Sequence, residues 1–305
     1  MKILVTGGSG FIGSHIVEHF QGKADITVLD NFRTGYRKNI EAFDVNLIEG
    51  DICDRAAVKK AVDGVDYIFH MAAMISVPES MDKPIECAEI NVKGLLTVLE
   101  EAEKAGVKKL CFSTSAAIYG DNPVVPKREV MIPEPKSPYA ITKLDGEYYC
   151  AMFANENRLQ TACMRYFNVF GPRQDPGSAY AAAVPIFVSK AVANEPITIF
   201  GDGEQTRDFI YVKDIVAANV FMAESDNTGV FNVAYGKKIT INDLAELIIK
   251  LTGSSSEIQH LEERAGDVKH SMASVDKLLA TGFKPTSDFA DGLEKTINFF
   301  ADKGR

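Results

Sequence analysis

The sequence predicts an α/β fold, with a doubly wound parallel sheet in the first part of the chain and a smaller mixed α/β C-terminal substrate domain. Three observations favour this fold class. Short β-branched runs alternate with helical patterns up to about Asn168. The runs are almost continuously apolar, as in parallel strands buried on both faces. A glycine-rich turn joins the first run to the first helix, which is typical of dinucleotide-binding sheets.

The strand candidates lie at residues 3–5, 26–29, 46–49, 67–69, 110–113 and 161–165. The longest helical pattern between them covers about residues 85–104. Near Asn168 the alternation ends in a turn-rich loop at 171–178. Beyond it, Thr240 and Asp243 form a capping box for a helix that reaches about Leu251. We therefore assign residues 1–168 to a first domain and 169–305 to a second, with some later segments returning to the first.

Composition excludes several classes of partner. The chain has 305 residues, of which 46% are hydrophobic and 25% charged, as in soluble globular proteins. Its net charge of -9 argues against nucleic acid or an anionic membrane as the main partner. We expect no signal peptide, because the first strand begins directly after Met1. Five widely spaced cysteines without a C-x-x-C pair favour reduced thiols and a cytoplasmic protein.

The glycine-rich turn has the form G-x-x-G-x-x-G, at Gly7, Gly10 and Gly13. The first glycine permits a tight turn, the second lets the backbone approach a pyrophosphate, and the third lets the helix pack closely on the strand. The start of the following helix offers free N–H groups to the phosphates. This pattern predicts a Rossmann-type dinucleotide site.

Asp30 ends the next strand candidate, 17 residues after Gly13, near the spacing expected for a ribose-binding carboxylate. A carboxylate there can bind both ribose hydroxyls and repels a 2′-phosphate, so NAD is favoured over NADP. Arg33 is open to another interpretation, as a phosphate clamp or as an exposed loop residue. Asp51 and Ile52, after the third strand, are expected to flank the adenine.

Tyr139 and Lys143 lie four residues apart in a helix that Ser137 and Pro138 open, so their side chains share one face. A phenol has a pKa of about 10 and is a poor base at neutral pH. A neighbouring ammonium group favours the phenolate. The pair is interpreted as a tyrosine general base tuned by a lysine, although an ordinary surface pair has the same spacing.

Residues 15–19 fit the inverted zinc-protease string H-x-x-E-H. The glycine-rich turn already requires this helix to pack against the sheet, and no third ligand is evident. We therefore predict no metal site.

Several motifs together resemble those of the extended short-chain dehydrogenase/reductase family, and within it most closely the UDP-hexose 4-epimerases. The general marks are the glycine-rich turn, Asn91, and the Tyr139 and Lys143 pair after a strand that ends in Ser113 and Ser115. The more specific marks are 113–120 (STSAAIYG), 165–171 (RYFNVFG), 201–203 (GDG) followed by Arg207 and Asp208, and 264–267 (RAGD). The resemblance covers nearly the whole chain.

The resemblance implies a reaction. Tyr139 takes the proton of the sugar C4 hydroxyl while bound NAD takes the C4 hydride. Ser115 hydrogen-bonds the same oxygen, and Lys143 holds the nicotinamide ribose and lowers the pKa of Tyr139. The 4-keto sugar then turns and takes the hydride back on its other face.

The resemblance also implies the remaining site residues. The cofactor contacts are expected from Gly7, Gly10, Phe11, Ile12, Gly13, Asp30, Asn31, Asp51, Ile52, Met71, Ala72, Ala73, Asn91, Ser113, Tyr139, Lys143, Tyr166 and Phe167. The UDP-sugar contacts are expected from Ser76, Ser115, Tyr139, Asn168, Ala183, Val184, Phe200, Arg207, Arg264, Asp267 and Ser271. Arg207 and Arg264 are the expected phosphate ligands, because the planar guanidinium can give two hydrogen bonds to an oxyanion pair.

Ser271 occupies the position that faces the hexose in this family. A small residue there leaves room for a C2 N-acetyl group, so we expect both UDP-GlcNAc/UDP-GalNAc and UDP-glucose/UDP-galactose to be admitted. Small residues in the run 177–185 favour the same interpretation.

Three alternatives remain. A nucleotide-sugar 4,6-dehydratase would need an Asp-Glu pair where this chain has Ala116 and Ala117. A UDP-glucuronate 4-epimerase or decarboxylase would need groups for the sugar carboxylate, which Arg173 could bind. A non-catalytic NAD-sensing regulator would have the same fold, but we would expect it to lack part of the Ser, Tyr and Lys set.

The helical patterns 85–102 and 139–154 are apolar on more than one face. One face of each can pack on the sheet, and the other favours a homodimer, with cover by the second domain as the alternative.

Overall fold

The computed structural model describes residues 1–177, 182–263 and 269–303. The chain divides into two compact units. The first unit comprises Met1–Gly120, Ile132–Tyr166 and Val216–Phe231, and the second comprises Asp121–Met131, Phe167–Ile215 and Asn232–Arg305. Each unit is therefore built from three separate stretches of sequence.

The strands are short and follow one another along the whole chain. In order they are β1 (Lys2–Thr6), β2 (Asp25–Asp30), β3 (Asn46–Glu49), β4 (Tyr67–His70), β5 (Lys109–Ser115), β6 (Gln160–Tyr166), β7 (Val169–Phe170), β8 (Ile197–Phe200), β9 (Thr206–Arg207), β10 (Ile210–Tyr211), β11 (Gly229–Val233), β12 (Ile239–Thr240) and β13 (Ile258–Leu261).

Helices connect most of these strands. They are α1 (Phe11–Phe20), α2 (Arg55–Ala61), α3 (Val77–Asp82), α4 (Pro84–Ala88), α5 (Gly94–Lys104), α6 (Pro138–Asn155), α7 (Ala183–Val192), α8 (Val212–Glu224), α9 (Ile241–Thr252), α10 (Asp276–Ala280) and α11 (Phe289–Lys303). Among the described residues, no helix combines the length and the apolar character needed to cross a bilayer.

The main sheet has the strand order β11-β6-β5-β4-β1-β2-β3. Strands β1 to β6 pair in parallel. The direction of travel reverses between β1 and β4, so this is a doubly wound sheet with its switch point there. The predicted α/β fold class is confirmed, and each of the six predicted strands overlaps an observed one.

Burial on both faces explains why the strands could be recognised. Ile3, Leu4 and Val5 of β1 are consecutive, and all three are completely buried. Side chains on opposite sides of a strand alternate, so a run without exposed positions requires cover on both faces. Helix α5 supplies part of that cover through Leu95 and Val98, which lie in the same apolar core as β1.

The long helix predicted at about 85–104 is interrupted by a π-helical turn. The π-helical turn Glu89–Lys93 follows α4 directly and leads directly into α5, so the three form one continuous helical rod. Such turns insert one extra residue into a helix and are frequent at functional sites. Asn91 lies in this turn and is buried.

The second unit contains three two-stranded pairings, β7 with β10, β8 with β13 and β9 with β12. Helix α9 packs beside them and begins as predicted, because the Thr240 hydroxyl accepts a 2.9 Å hydrogen bond from the Asp243 N–H. It ends at Gly253, whose φ of 64° lies in the left-handed region. The pattern of short strands explains why no regular alternation was visible after residue 168.

Candidate active site

The predicted cofactor residues of the first unit gather at one edge of the main sheet. Because β1 to β6 are parallel, their carboxyl ends meet at that edge, where α/β sheets bind ligands. The residues at or just beyond these ends are Gly7, Asp30, Asn31, Asp51, Ile52, Met71, Ala72, Ala73, Ser113, Ser115 and Tyr166. The sheet thus brings together residues that lie up to about 160 positions apart in the sequence.

The glycine-rich turn is too tight for side chains. Gly7 has a φ of 68°, and a Cβ on it would lie 2.8 Å from the Ala72 nitrogen. A Cβ on Gly13 would lie 2.2 Å from the Gly7 carbonyl oxygen, so only glycine lets α1 approach β1 this closely. Both positions have the geometry that the glycine pattern predicts.

The start of α1 fits the pyrophosphate of a dinucleotide. Gly10 is the N-cap residue, with extended backbone, and no side chain in the described part of the chain caps it. The first turn, Phe11, Ile12 and Gly13, carries no acidic residue, and its N–H groups lack intrahelical acceptors. Beside it, the Ser9 hydroxyl is buried without a hydrogen-bond partner among the described residues. Donors of this kind at a positive helix end suit an anion.

Asp30 braces this turn. Its Oδ2 accepts a 2.9 Å hydrogen bond from the Ser9 N–H, and its Oδ1 accepts a 2.8 Å bond from the Phe32 N–H. A carboxylate oxygen can accept a second hydrogen bond, so both remain able to meet a ribose hydroxyl. Nearby, the Asn31 amide donates to Asp51 Oδ2 at 2.9 Å, which joins the ends of β2 and β3.

Arg33 is committed to other carboxylates. Its Nη2 lies 2.8 Å from Glu79 and its Nη1 lies 2.5 Å from Glu86, and these two hydrogen bonds raise its pKa. A guanidinium held by two glutamates is poorly placed to clamp a 2′-phosphate. Of the two interpretations of Arg33, the structure therefore favours a residue without a role in cofactor choice.

Tyr139 stands on the first turn of α6 and hydrogen-bonds Ser115 at the end of β5. Ser137 caps the helix by accepting a 3.2 Å hydrogen bond from the Ala140 N–H, and Pro138 is its first residue. The Tyr139 N–H donates to the Ser80 hydroxyl at 3.2 Å, which anchors the helix start to α3. The capped start of α6 thus holds the Tyr139 phenol beside the Ser115 hydroxyl at the end of β5.

The pKa of Tyr139 is raised, whereas the prediction was that it is lowered. Burial raises the pKa of Tyr139, and the hydrogen bond from Ser115 offsets only part of this effect. The Lys143 ammonium lies 5.9 Å from the centre of the Tyr139 ring and donates a 2.7 Å hydrogen bond to the Ser113 carbonyl. Burial lowers the pKa of Lys143 itself to about 8. Desolvation outweighs charge here, and desolvation is invisible in the residue spacing.

Asn91 is bound on all sides by protein groups. Its Oδ1 accepts a 2.8 Å hydrogen bond from the Met74 N–H. Its Nδ2 donates to the Met74 carbonyl and the Thr142 hydroxyl, both at 3.0 Å. The side chain predicted to touch the cofactor therefore ties the loop after β4 to α6.

Glu147 on α6 and Arg165 in β6 were given no role in the sequence-based predictions. Glu147 and Arg165 are buried and paired, and Glu147 also accepts a 2.8 Å hydrogen bond from the Thr114 hydroxyl. A spacing of four residues links Tyr139, Lys143 and Glu147 on one face of α6. This spacing was the available signal for Glu147.

Several predicted UDP-sugar residues lie close together in the second unit. The Ser271 N–H donates to the Thr206 carbonyl at 3.0 Å, and Arg207 Nη1 donates to the same carbonyl oxygen at 3.0 Å. The Asn168 amide donates to the Asp208 carbonyl at 2.9 Å. These contacts bring Arg207, Asn168 and Ser271 to one short stretch of chain around β9.

The other predicted substrate residues are dispersed. Phe200 ends β8, and Ala183 and Val184 begin α7, where Val184 is fully buried. Ser76, in the first unit, caps α3 by accepting a 3.1 Å hydrogen bond from the Glu79 N–H. Phe167, a predicted cofactor contact, is fully buried in the second unit. Arg264 and Asp267 lie outside the described residues, as do residues 178–181 of the predicted sugar-facing run.

The H-x-x-E-H string forms no metal centre in the described structure. His15 pairs instead with Glu18 on the same helix at 3.3 Å. Within residues 1–177, 182–263 and 269–303, no group of three or more His, Cys, Asp or Glu side chains could hold a metal ion.

Known proteins are similar to this chain in sequence and in architecture. A profile of the NAD dependent epimerase/dehydratase family matches residues 3–234. The UDP-N-acetylglucosamine 4-epimerase of Methanobrevibacter ruminantium, solved with UDP-N-acetylmuramic acid, is 42% identical over 99% of this chain and 98% of its own, with a TM-score of 0.96.

Two further solved structures are similar over their full length. The UDP-glucose 4-epimerase of Thermotoga maritima, solved with UDP-glucose, is 38% identical over 100% of both chains, with a TM-score of 0.95. The UDP-glucose 4-epimerase of Thermus thermophilus, solved with NAD, is 35% identical over 98% of this chain and 99% of its own, with a TM-score of 0.89. The fold and the glycine-rich turn at the start of α1 are consistent with these similarities. The chain belongs to the NAD-dependent epimerase/dehydratase family, with NAD as its cofactor.

Proposed function

We propose that this protein is a UDP-hexose 4-epimerase that inverts the C4 hydroxyl of the sugar while keeping its NAD. The hydrogen bond between Tyr139 and Ser115, with Lys143 one helical turn further on, carries this proposal. Near the carboxyl end of β5, the Tyr139 phenol, the Ser115 hydroxyl and the Lys143 ammonium form a set that can remove a proton from an alcohol and later return it. Bound NAD would supply reversible hydride acceptance at the sugar C4.

In the proposed reaction, side chains of the protein transfer the proton of the sugar C4 hydroxyl. Tyr139 takes it from the C4 hydroxyl, and Ser115 hydrogen-bonds the same oxygen and keeps the phenol in place. Burial disfavours the phenolate, so a Tyr139 that has taken up the proton holds it firmly until the keto oxygen is reduced. The Lys143 charge, fixed by the Ser113 carbonyl, stabilises the transient phenolate from the same helix face.

The second unit supplies most of the proposed UDP-sugar-binding residues. Arg207 suits a diphosphate because its planar fork can donate two hydrogen bonds to one oxyanion pair. Asn168, on the neighbouring segment, is the proposed amide ligand of the same group. Phe200 is proposed to line the uracil pocket and Ala183, Val184 and Ser76 to approach the sugar, whereas Arg264 and Asp267 stay predictions from the sequence alone.

We propose that the sugar site admits N-acetylated and plain hexoses. Ser271 is small and partly exposed, and it is held by its backbone rather than its side chain. The similar protein of Methanobrevibacter ruminantium is named as a UDP-N-acetylglucosamine 4-epimerase. A hydroxymethyl side chain leaves room for an N-acetyl group, and the loss of a few apolar contacts would not exclude glucose.

We also propose a homodimer, formed through α4 and α6. Large apolar side chains on these two helices are exposed, among them Ile85 at 77% and Tyr148 at 62%. Contiguous exposed apolar side chains mark interaction surfaces. Light scattering of the purified protein will decide this point: a monomeric mass would contradict the dimer without touching the proposed reaction.

The reaction is tested by incubating the pure protein, without added NAD, with UDP-glucose, UDP-GlcNAc or UDP-glucuronate and resolving the C4 epimers. Epimers of the first two sugars would support the proposal and the tight hold on NAD. Turnover of UDP-glucuronate alone would assign the protein to the carboxylated sugars instead. Bound NAD with no turnover of any sugar would indicate a non-catalytic NAD-binding protein.

A further inference from the structure

We propose that Asp208 is a positioning residue that holds the UDP-binding residues of the second unit in register. Asp208 is completely buried and has no role among the residues predicted from the sequence. Its carboxylate binds two other segments of the same unit, and its main chain binds a third. The proposal rests on the proposed function, since Arg207, Asn168 and Ser271 are its predicted substrate residues.

The carboxylate of Asp208 collects backbone N–H groups. Its Oδ1 accepts hydrogen bonds from Tyr235 at 3.0 Å and from Gly236 at 3.2 Å. Its Oδ2 accepts from Gly236 at 3.2 Å and from Ala273 at 3.1 Å. Ala273 lies two residues after Ser271, so one side chain fixes the segment that carries the proposed sugar-facing residue.

Asp208 lies where the chain changes partners. Before it, β9 pairs with β12, and the Thr206 N–H donates to the Lys269 carbonyl at 3.0 Å. After it, β10 pairs in parallel with β7. Between these pairings, the Asp208 side chain accepts hydrogen bonds from the N–H groups of Gly236 and Ala273. Ala273 is buried, so its N–H would otherwise lack an acceptor.

The main chain of Asp208 reaches the third substrate residue. Its carbonyl accepts the 2.9 Å hydrogen bond from the Asn168 amide, and Arg207 precedes it directly in β9. Any rotation of the backbone at Asp208 would therefore move Arg207 and Asn168 together. A shift of this kind alters the spacing of the proposed diphosphate ligands.

This arrangement carries an energetic penalty. Burial raises the pKa of Asp208 to about 6, and the N–H bonds from Ala273, Tyr235 and Gly236 offset only part of the desolvation. A neutral side chain would be cheaper to bury. Four N–H contacts made by two oxygens at fixed angles, however, specify the relative positions of three chain segments. We infer that the Asp208 carboxylate is retained because it fixes the positions of these segments, although its burial reduces the stability of the fold.

Asp214 offers a matched control in the same unit. It too is a buried aspartate that accepts backbone N–H bonds, from Thr286 at 2.7 Å and Ser287 at 3.0 Å. Those two residues lie just before α11 and outside the segment that carries Ser271. Asp214→Asn replaces one carboxylate oxygen by an NH₂ group at the same kind of site, without acting on the proposed UDP-binding residues.

The experiment compares Asp208→Asn and Asp214→Asn with the wild-type protein. UDP and NAD binding are measured by calorimetry, and kcat and KM are measured with UDP-glucose. For Asp208→Asn we expect the UDP dissociation constant and KM to rise about tenfold or more, since one charge-assisted hydrogen bond is lost from the frame. NAD affinity should stay within about threefold of wild type, because all the predicted NAD residues except Phe167 belong to the first unit. Asp214→Asn should leave both affinities near the wild-type values.

The outcomes separate the two proposals. A wild-type protein that does not bind UDP would overturn the proposed function. Wild-type binding of UDP, with an equal effect of both variants on it, would overturn the positioning role of Asp208. If Asp208→Asn does not fold, hydrogen exchange on the wild type decides: UDP should slow exchange at residues 235–236 and 269–274, and unchanged exchange there would overturn the role.

Discussion

Glu147 and Arg165 form a two-point ion pair in which each side chain is only 4% exposed. Arg165 Nε donates to Glu147 Oε1 at 2.8 Å, and Arg165 Nη2 donates to Oε2 at 2.6 Å. Burial alone would lower the pKa of Arg165, but the bonds and charge of Glu147 raise it. The pair joins α6, two turns after Tyr139, to the end of β6.

Breaking this pair should destabilise the protein strongly. In Glu147→Gln the shape is kept, but the Arg165 charge is left buried without a counter-charge. We expect the free energy of unfolding in urea to fall by about 3–5 kcal/mol. Glu49→Gln is the matched control, because Glu49 pairs with Arg37 at the surface and is 65% exposed. Its effect should stay below about 1 kcal/mol. Equal losses in the two variants would show that burial of the pair is unimportant.

Tyr139→Phe should remove the proton acceptor while keeping the ring. Proton transfer by a positioned base contributes about 10²–10⁴-fold, so we expect kcat to fall at least about 10²-fold. The amount of NAD retained after purification should not change, which separates chemistry from cofactor binding. Tyr67→Phe, at the opposite end of the sheet from the candidate site, serves as the control. Near-normal turnover by Tyr139→Phe would remove the basis of the proposed mechanism.

Asp208 should make stability depend on pH in a direction unusual for an aspartate. Its pKa is raised from 3.8 to about 6, so the folded protein holds the proton more tightly than the unfolded chain does. Its contribution to stability is then fully present below about pH 4 and is lost as the pH rises through about 6. The difference in pKa corresponds to about 3 kcal/mol.

The difference between wild type and Asp208→Asn isolates this contribution from that of other carboxylates. Between pH 4 and 7 the free energy of unfolding of the wild type should decline relative to that of the variant. Urea unfolding at several pH values measures both curves. Parallel curves would mean that Asp208 titrates in its ordinary range.

Ser271→Tyr should narrow the range of sugars. A phenol ring fills the space proposed for the N-acetyl group, and overpacking of this kind reduces UDP-GlcNAc turnover by about tenfold or more. UDP-glucose turnover should change much less, since the smaller sugar does not need that space. Ser271→Ala keeps a small side chain and should leave both activities in place. Unchanged UDP-GlcNAc turnover in Ser271→Tyr would refute the role of Ser271 in sugar choice.

Local signals predicted much of the first unit. Its parallel strands are buried on both faces, so each is a short apolar run, and the glycine turn depends on neighbours in sequence. The return of Val216–Phe231 to the first unit was expected only in outline, because β11 joins β6 across more than 60 residues of intervening chain. No local pattern specifies such a pairing.

The missed parts of the site are partnerships between distant residues. Asn91 bonds Thr142, 51 positions away, and Asp208 bonds the backbone of Ala273, 65 positions away. The first bond joins two side chains and the second joins a side chain to a backbone N–H, and no local sequence pattern pairs groups so far apart. The pKa of Tyr139 was misjudged for a related reason, since burial depends on the whole fold and not on Lys143 alone.

The π-helical turn at Glu89–Lys93 changes the phase of the rod that runs from α4 to α5. One extra residue rotates everything after it by about 100° relative to an unbroken helix. Cys87, before the turn, and Asn91, within it, face Thr142 of α6. After it, Leu95 and Val98 face the sheet core. The number of residues in this helical rod therefore determines which side chains face α6 at the candidate site and which face the core.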